Sequence, residues 1–341
     1  MASLFPAQKG KTTAAFIRSL DRTRAFNFGM SRLNLIFGAC DDPACRAIEE
    51  QLRWRGFSHI RDISAANAIA KALDEALPDL LVCDGDLPGG DVCEQIRRLR
   101  NRECGRNPFA LVVTLMRSPT ADRIRAAIDA GSDDIVILQS PAASLAERIA
   151  GLVHKRKPFV VTDDYIGPTR REAPREGSEI VPLVHVPNTA FLKIEKSCPD
   201  PEIERLVDRA CRVVDGQKLE RHAVQVTWRV ARIRELVDGA WPGARLEPHL
   251  ARLDFLAGDI ERRLEASAQG HVAEMCRSLA RVCGRLLADL ATPDPRAIDL
   301  LAPLAEGIDR AFRVRPGQRK AAQRIAAEID LRYGAGSATA S

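Results

Sequence analysis

The stretch Pro78-Asp79-Leu80-Leu81-Val82-Cys83-Asp84-Gly85-Asp86-Leu87-Pro88-Gly89-Gly90-Asp91 holds the residues of this 341-residue chain best suited to chemistry. An apolar run ends in a single carboxylate, Asp84, and a turn of small and acidic residues follows. A carboxylate presented in this way can attack phosphorus and form an acyl phosphate. That chemistry also needs Mg²⁺, which prefers carboxylate and carbonyl oxygens. Asp41 and Asp42, at the end of the first apolar run, are the nearby acids that could supply them. Thr114 lies near the end of another apolar run, where its hydroxyl could hydrogen-bond a phosphoryl oxygen.

The elements that must position these groups alternate regularly. Strand patterns cover Leu33–Gly38, His59–Ile63, Leu80–Asp84, Phe109–Leu115 and Ile135–Leu138. Helical spacing covers Ala44–Arg55, Ala65–Ala76, Asp91–Asn101, Ala121–Ala130 and Ala143–His154. Pro78 stops the second helix and Gly131 caps the fourth. Mostly apolar strands alternating with helices imply a parallel sheet covered on both faces. The expected fold is therefore α/β, a flavodoxin-like doubly wound five-stranded parallel sheet over residues 33–155. Such sheets bind ligands beyond the carboxyl ends of their strands, where Asp84 lies.

Residues 156–187 break the pattern. Lys155-Arg156-Lys157 leads into them, five prolines fall between positions 155 and 190, and Tyr165-Ile166-Gly167-Pro168 reads as a turn. They are expected to form a linker or surface strap. From 188 to 333 every segment has helical spacing, which predicts an all-α helical bundle of about six helices. One helix starts at Asn188 or Thr189. Pro201–Val214 ends near Gly216, and Lys218–Val237, Leu246–Ala266, Val272–Leu290, Arg296–Phe312 and Gln318–Tyr333 follow. The tail 334–341 is of low complexity and is expected to be disordered.

Residues 33–155 resemble the receiver domain of bacterial two-component response regulators. Asp84 matches that family's phosphoacceptor, and Leu87-Pro88 with Asp91 matches the turn after it. Thr114 falls 30 residues beyond Asp84, the family's spacing for its conserved hydroxyl. Gly56-Phe57 and Ala130-Gly131-Ser132-Asp133-Asp134 match further markers. The resemblance implies phosphorylation of Asp84. It also implies Mg²⁺ held by Asp84, by Asp41 or Asp42, and by the backbone carbonyl of Asp86. A histidine kinase or phosphotransfer protein would be the partner.

The sequence also departs from the family. The family lysine before Pro141 is missing, since no lysine occurs between Lys71 and Lys155. Arg117 could substitute for it. Counting back from Gly56 puts Ala39-Cys40 where the family has its acids. Ile135 stands at the family's switch aromatic, and the loop after Thr114 is about two residues longer than the family's. Two readings stay open: a phosphoacceptor, or a pseudo-receiver retained for protein contact. No enzyme activity beyond self-phosphorylation from a phosphodonor is expected.

The remaining features are bland. Net charge is +5, and residues 1–32, a basic and flexible N-terminal segment, themselves carry +5, while 33–180 carry −3 and 181–341 carry +3. Neither folded half has the electrostatic footprint of a nucleic-acid binder. There is no membrane-spanning run, and the start could be Met1 or Met30. Nine cysteines without a C-x-x-C pair point to a reducing cytoplasm. Gly10-Lys11-Thr12 lacks the rest of a P-loop, and Gly89-Gly90-Asp91 lacks the residues that would make it a cyclase signature. Arg229, Arg232 and Arg234 read as a solvated helix face. The helical domain is expected to engage a downstream protein, with homodimerisation left open. The alternatives are a phosphorelay protein with phosphohistidine at His222 or His271, and a non-catalytic scaffold or adaptor.

Overall fold

Branched and large apolar side chains occupy nearly every position of the central strands, so both faces of the sheet they form must be covered. In the computed structural model the strands are β1 (Asn34–Gly38), β2 (His59–Ile63), β3 (Leu80–Asp84), β4 (Leu111–Met116) and β5 (Asp134–Ile137). They form one parallel sheet in the order β2-β1-β3-β4-β5. This is the doubly wound topology expected from the alternation of elements. The structure describes residues 29–138, 145–170, 182–239, 243–264 and 270–312. The N-terminal segment to residue 28, the helix expected at 318–333, the tail, and the Gln139-Ser140-Pro141 stretch all lie outside the described residues.

The crossover helices are α1 (Pro43–Trp54), α2 (Ala68–Glu75), α3 (Val92–Arg100), α4 (Ala121–Ala130) and α5 (Leu145–His154). Strand alternation sends Leu80 and Val82 to a core shared with Leu52 of α1 and Ile149 of α5. It sends Leu81 and Cys83 to a second core shared with Ile69 and Leu73 of α2 and Ile96 of α3. Helix α4 ends at Gly131, whose φ of +101° suits glycine, and a Cβ there would stand 2.9 Å from Arg100 Cγ.

The expected linker contains structure. Strands β6 (Phe159–Val161), β7 (Ile166–Pro168) and β8 (Leu183–Val184) form a small sheet in the order β7-β6-β8. Its anchor is a buried charge cluster. Arg100 donates to the carbonyls of Gly131 (3.0 Å), Pro108 (2.6 Å) and Ala110 (2.9 Å), and to Asp133 Oδ2 (2.8 Å). Arg156 binds the same carboxylate at 3.0 and 3.2 Å. Phe159 receives both guanidiniums, 5.1 and 4.9 Å from its ring centroid, and meets Phe109 edge-on. Helix α6 (Thr189–Glu195) is secured by Lys193, which donates to the buried Asp79 at 2.8 Å. Asn188 caps α6 through the amide of Phe191 and donates to the final carbonyls of α5, those of Leu152 and Val153.

The chain divides into two compact units, and the main division lies beyond the expected linker, which gives only residues 161–164 to the second unit. Among the described residues, the first unit holds 29–160, 165–170 and 182–210, and the second holds 161–164 and those from 211 onward. The dividing residue lies inside α7 (Asp200–Asp238), one uninterrupted 39-residue helix. The expected break near Gly216 is therefore corrected: an exposed glycine weakens a helix by only about 1 kcal/mol, which packing on either side overrides. Helices α8 (Gly243–Leu264), α9 (Gly270–Ala288) and α10 (Pro295–Phe312) follow. Their apolar faces build one core around Leu253, Leu256, Ile260, Cys276, Leu279, Cys283 and Leu301. All nine cysteines are free thiols, and six are buried: Cys45, Cys83, Cys104, Cys211, Cys276 and Cys283. Among the described residues no helix is long and apolar enough to cross a membrane.

Candidate functional site

Strand β3 delivers Asp84 to the carboxyl edge of the sheet, fully buried. Its Oδ1 accepts the amide of Asp86 at 3.0 Å, inside the tight turn closed by the Leu87 amide on the Asp84 carbonyl. Its Oδ2 accepts two bonds from one guanidinium: Arg117 Nε at 3.0 Å and a terminal Arg117 nitrogen at 2.8 Å. Arg117 directly follows the last residue of β4, Met116. The same terminal nitrogen lies 3.0 Å from Cys45 Sγ, and the other terminal nitrogen pairs with Asp42 Oδ2. All three guanidinium nitrogens are thus engaged, and one arginine bridges two carboxylates from different strand ends.

Asp42 is held from its other side. It is the N-cap of α1, with Oδ1 accepting the Cys45 amide at 2.9 Å and Pro43 opening the helix. That bond first, and Arg117 after it, hold the Asp42 carboxyl below the ordinary aspartate value. The Asp84 hydrogen bond chiefly raises the Arg117 pKa, so this cation stays charged. Burial, then the charge of Asp42, pushes the Cys45 thiol up, and burial does the same for Cys40. Both sulfurs are therefore protonated at neutral pH and are poor nucleophiles.

The other residues singled out in the sequence are placed differently. Asp41 points to solvent, 87% exposed, and pairs with Arg46 at 2.6 Å, away from the carboxylate pair. The Asp86 side chain pairs with Arg123, and its carbonyl faces the Cys40 thiol at 3.8 Å. Thr114 is the main correction. Sheet register sets Asp84 opposite Leu115 and Thr114 opposite Cys83. Side-chain alternation therefore turns Thr114 to the face covered by α2 and α3, whereas Asp84 meets α1. The buried Thr114 hydroxyl bonds that of Ser132 at 2.7 Å, and its methyl lies toward Gly85. Counting 30 residues along the chain ignored that β4 runs to Met116, which also absorbs the extra length noticed after Thr114.

A divalent ion does not fit this arrangement. Mg²⁺ requires several oxygen ligands in octahedral array. Of the four groups expected to hold it, Asp42 and Asp84 are taken up by Arg117, Asp41 faces outward, and the Asp86 carbonyl lies against a thiol. Among the described residues, no group of three His, Cys, Asp or Glu side chains is arranged to hold a metal.

The helical unit offers no phosphohistidine site at His222. Its ring is fully buried, with Nε2 2.7 Å from Asp259 Oδ2 and Nδ1 enclosed without a partner. Arg263 links Asp259 to Asp215, at 2.8 Å to each. Burial depresses the His222 pKa, so the ring is neutral and packed. His271 is exposed in the first turn of α9. Asp91 of the Gly-Gly-Asp string caps α3 through the Cys93 amide at 2.8 Å, a structural task. Arg229, of the trio read as a solvated face, is half-buried against His249 at 3.3 Å.

No family model matches the chain. The phosphate regulon transcriptional regulatory protein PhoB of Rhizobium meliloti is 35% identical over 91 residues, 26% of this chain and 39% of that protein. The transcriptional regulatory protein PrrA of Mycobacterium leprae is 29% identical over 128 residues, 38% of this chain and 53% of PrrA. The chain thus spans about half or less of these relatives' lengths. Among solved structures, a CheY-like response regulator receiver domain protein from Methanospirillum hungatei aligns over 35% of this chain and 91% of its own, with 17% identity and a TM-score of 0.30. The receiver domain of the sensor histidine kinase PA1611 from Pseudomonas aeruginosa, described with magnesium in its active-site cleft, aligns over 35% of this chain and 94% of its own at 21% identity and TM-score 0.30.

Proposed function

From the premise that the N-terminal α/β unit is a receiver domain, we propose that this chain is a response-regulator-like signalling protein whose receiver works through protein contact without phosphoryl transfer. The observation that supports this is Arg117. The Asp84 oxygen available for attack on phosphorus already accepts two N–H bonds, which stabilise its lone pairs and lower its nucleophilicity. The hydroxyl that would receive a phosphoryl oxygen is turned to Ser132 on the other face of the sheet. A histidine kinase or phosphotransfer protein would then meet the receiver surface by contact alone. The helical unit would contact a downstream protein in the cytoplasm. Its exposed apolar side chains, Val224, Trp228, Phe255 and Leu300, suit a protein partner better than a phosphate backbone.

The test is incubation of the full chain with acetyl phosphate and MgCl₂, read by intact mass. No mass gain is expected. A gain of one phosphoryl group that disappears in Asp84→Asn overturns the contact-only reading.

A further inference from the structure

We propose that the Arg117 guanidinium is the resident cation of the Asp84 site, taking the place between Asp42 and Asp84 that a divalent ion would need, and that removing it opens a Mg²⁺ or Mn²⁺ site. This deepens the reading of the Asp84 site given above and rests on it for the site's location.

Two carboxylates brought together at a sheet edge repel unless a positive charge stands between them. Here that charge is covalently supplied. Arg117 uses Nε and one terminal nitrogen on Asp84, and the other terminal nitrogen on Asp42. A lysine gathers its donors on a single nitrogen, whereas the guanidinium fork spreads three engaged nitrogens over both carboxylates. Asp42 and Asp84 lie 42 residues apart in sequence, yet the same side chain satisfies both. A divalent ion entering the site would face the guanidinium's charge and would have to expel it from three acceptors: Asp42, Asp84 and Cys45. With Arg117 gone, the two carboxylates remain with uncompensated charge and free oxygens, and a hard cation gains both.

Mn²⁺ binding to the full chain, followed by the loss of the free-ion electron paramagnetic resonance signal, tests this directly. The wild type is expected to take up no Mn²⁺, and its melting temperature should be equal in EDTA and in MgCl₂. Arg117→Gln is expected to bind one Mn²⁺ at least about tenfold more tightly than the wild type. Mg²⁺ should displace it, and Asp84→Asn in the same chain should abolish the binding. Equal binding by wild type and Arg117→Gln overturns the proposal, as does a folded Arg117→Gln that binds none. If the glutamine variant does not fold, Arg117→Lys serves instead. It keeps the charge but gives up the three-nitrogen grip of the fork, so it is expected to bind Mn²⁺ more tightly than the wild type, and equality with the wild type counts against the proposal. Phosphorylation of the wild type would strike the contact-only reading and leave these ion measurements standing, so the two ideas fail separately.

Discussion

Arg117 has three acceptors and only 29% of its side chain exposed, so its loss leaves the fully buried Asp84 without a counter-charge. Breaking a buried pair from one side costs about 3–5 kcal/mol, and the partial exposure here reduces that to about 2 kcal/mol for Arg117→Ala. Urea unfolding should show that loss. In an Asp84→Asn background the same substitution should cost less than half as much, because the buried charge it compensates is gone and only the partly exposed Asp42 remains. Equal costs in both backgrounds would mean that Arg117 does not stabilise through the Asp84 charge. The place of Asp84 was legible in the sequence, because an apolar run ending in an acid predicts a buried strand that carries a carboxylate to the edge of the sheet. Arg117 was visible only as a substitute for an absent lysine, since nothing local links it to Asp42. Thr114 was misassigned because spacing along a chain does not report which face of a strand a residue occupies. The Asp84–Leu115 register does.

At the scale of elements, the alternation of strands and helices was readable because apolar periodicity records burial directly. The small β7-β6-β8 sheet was not. Its strands are two or three residues long, and what holds them is Asp133, far away in sequence. Asp133→Ala leaves Arg100 buried and stripped of its carboxylate partner, which should cost about 3–5 kcal/mol in urea unfolding of the full chain. A loss below about 1 kcal/mol would show that the carbonyls around Arg100 suffice without the acid. In the helical unit, Lys218 donates to the carbonyls of Thr162 and Asp163, and burial pushes its pKa down to about 8. The unfolded chain therefore holds this proton more tightly than the folded one, so Lys218's contribution to stability rises with pH between about 8 and 10.5, by about 3 kcal/mol over the whole window. Buried thiols oppose it. Cys276 and Cys283, pushed up to about 12, favour the folded state less as pH climbs above 9. The difference between wild type and Lys218→Met cancels the thiols. Its midpoint gap should change steadily from pH 8 to pH 10, and a flat difference would exclude titration of Lys218.

At the scale of the whole molecule, two kinds of unit were foreseen from composition and pattern. Where they divide was not, because glycine and proline mark breaks only when packing permits them. Gly216 sits exposed inside α7, and a Cβ there would meet nothing within 4 Å. Gly216→Ala should therefore raise stability by about 0.5–1 kcal/mol, seen as a higher urea midpoint. A helix that ended at Gly216 would gain nothing or lose stability from the same change.

The buried thiols also give the chain a built-in clock. Cys83 and Cys104 lie in the α/β unit, Cys276 and Cys283 in the helical one, and burial keeps all four protonated and sheltered. A brief alkylating pulse in rising urea, read by peptide mass, would then time the opening of each unit separately in a single unlabelled sample. Native wild-type protein thus needs no engineered probe to reveal whether its two halves come apart together or in turn.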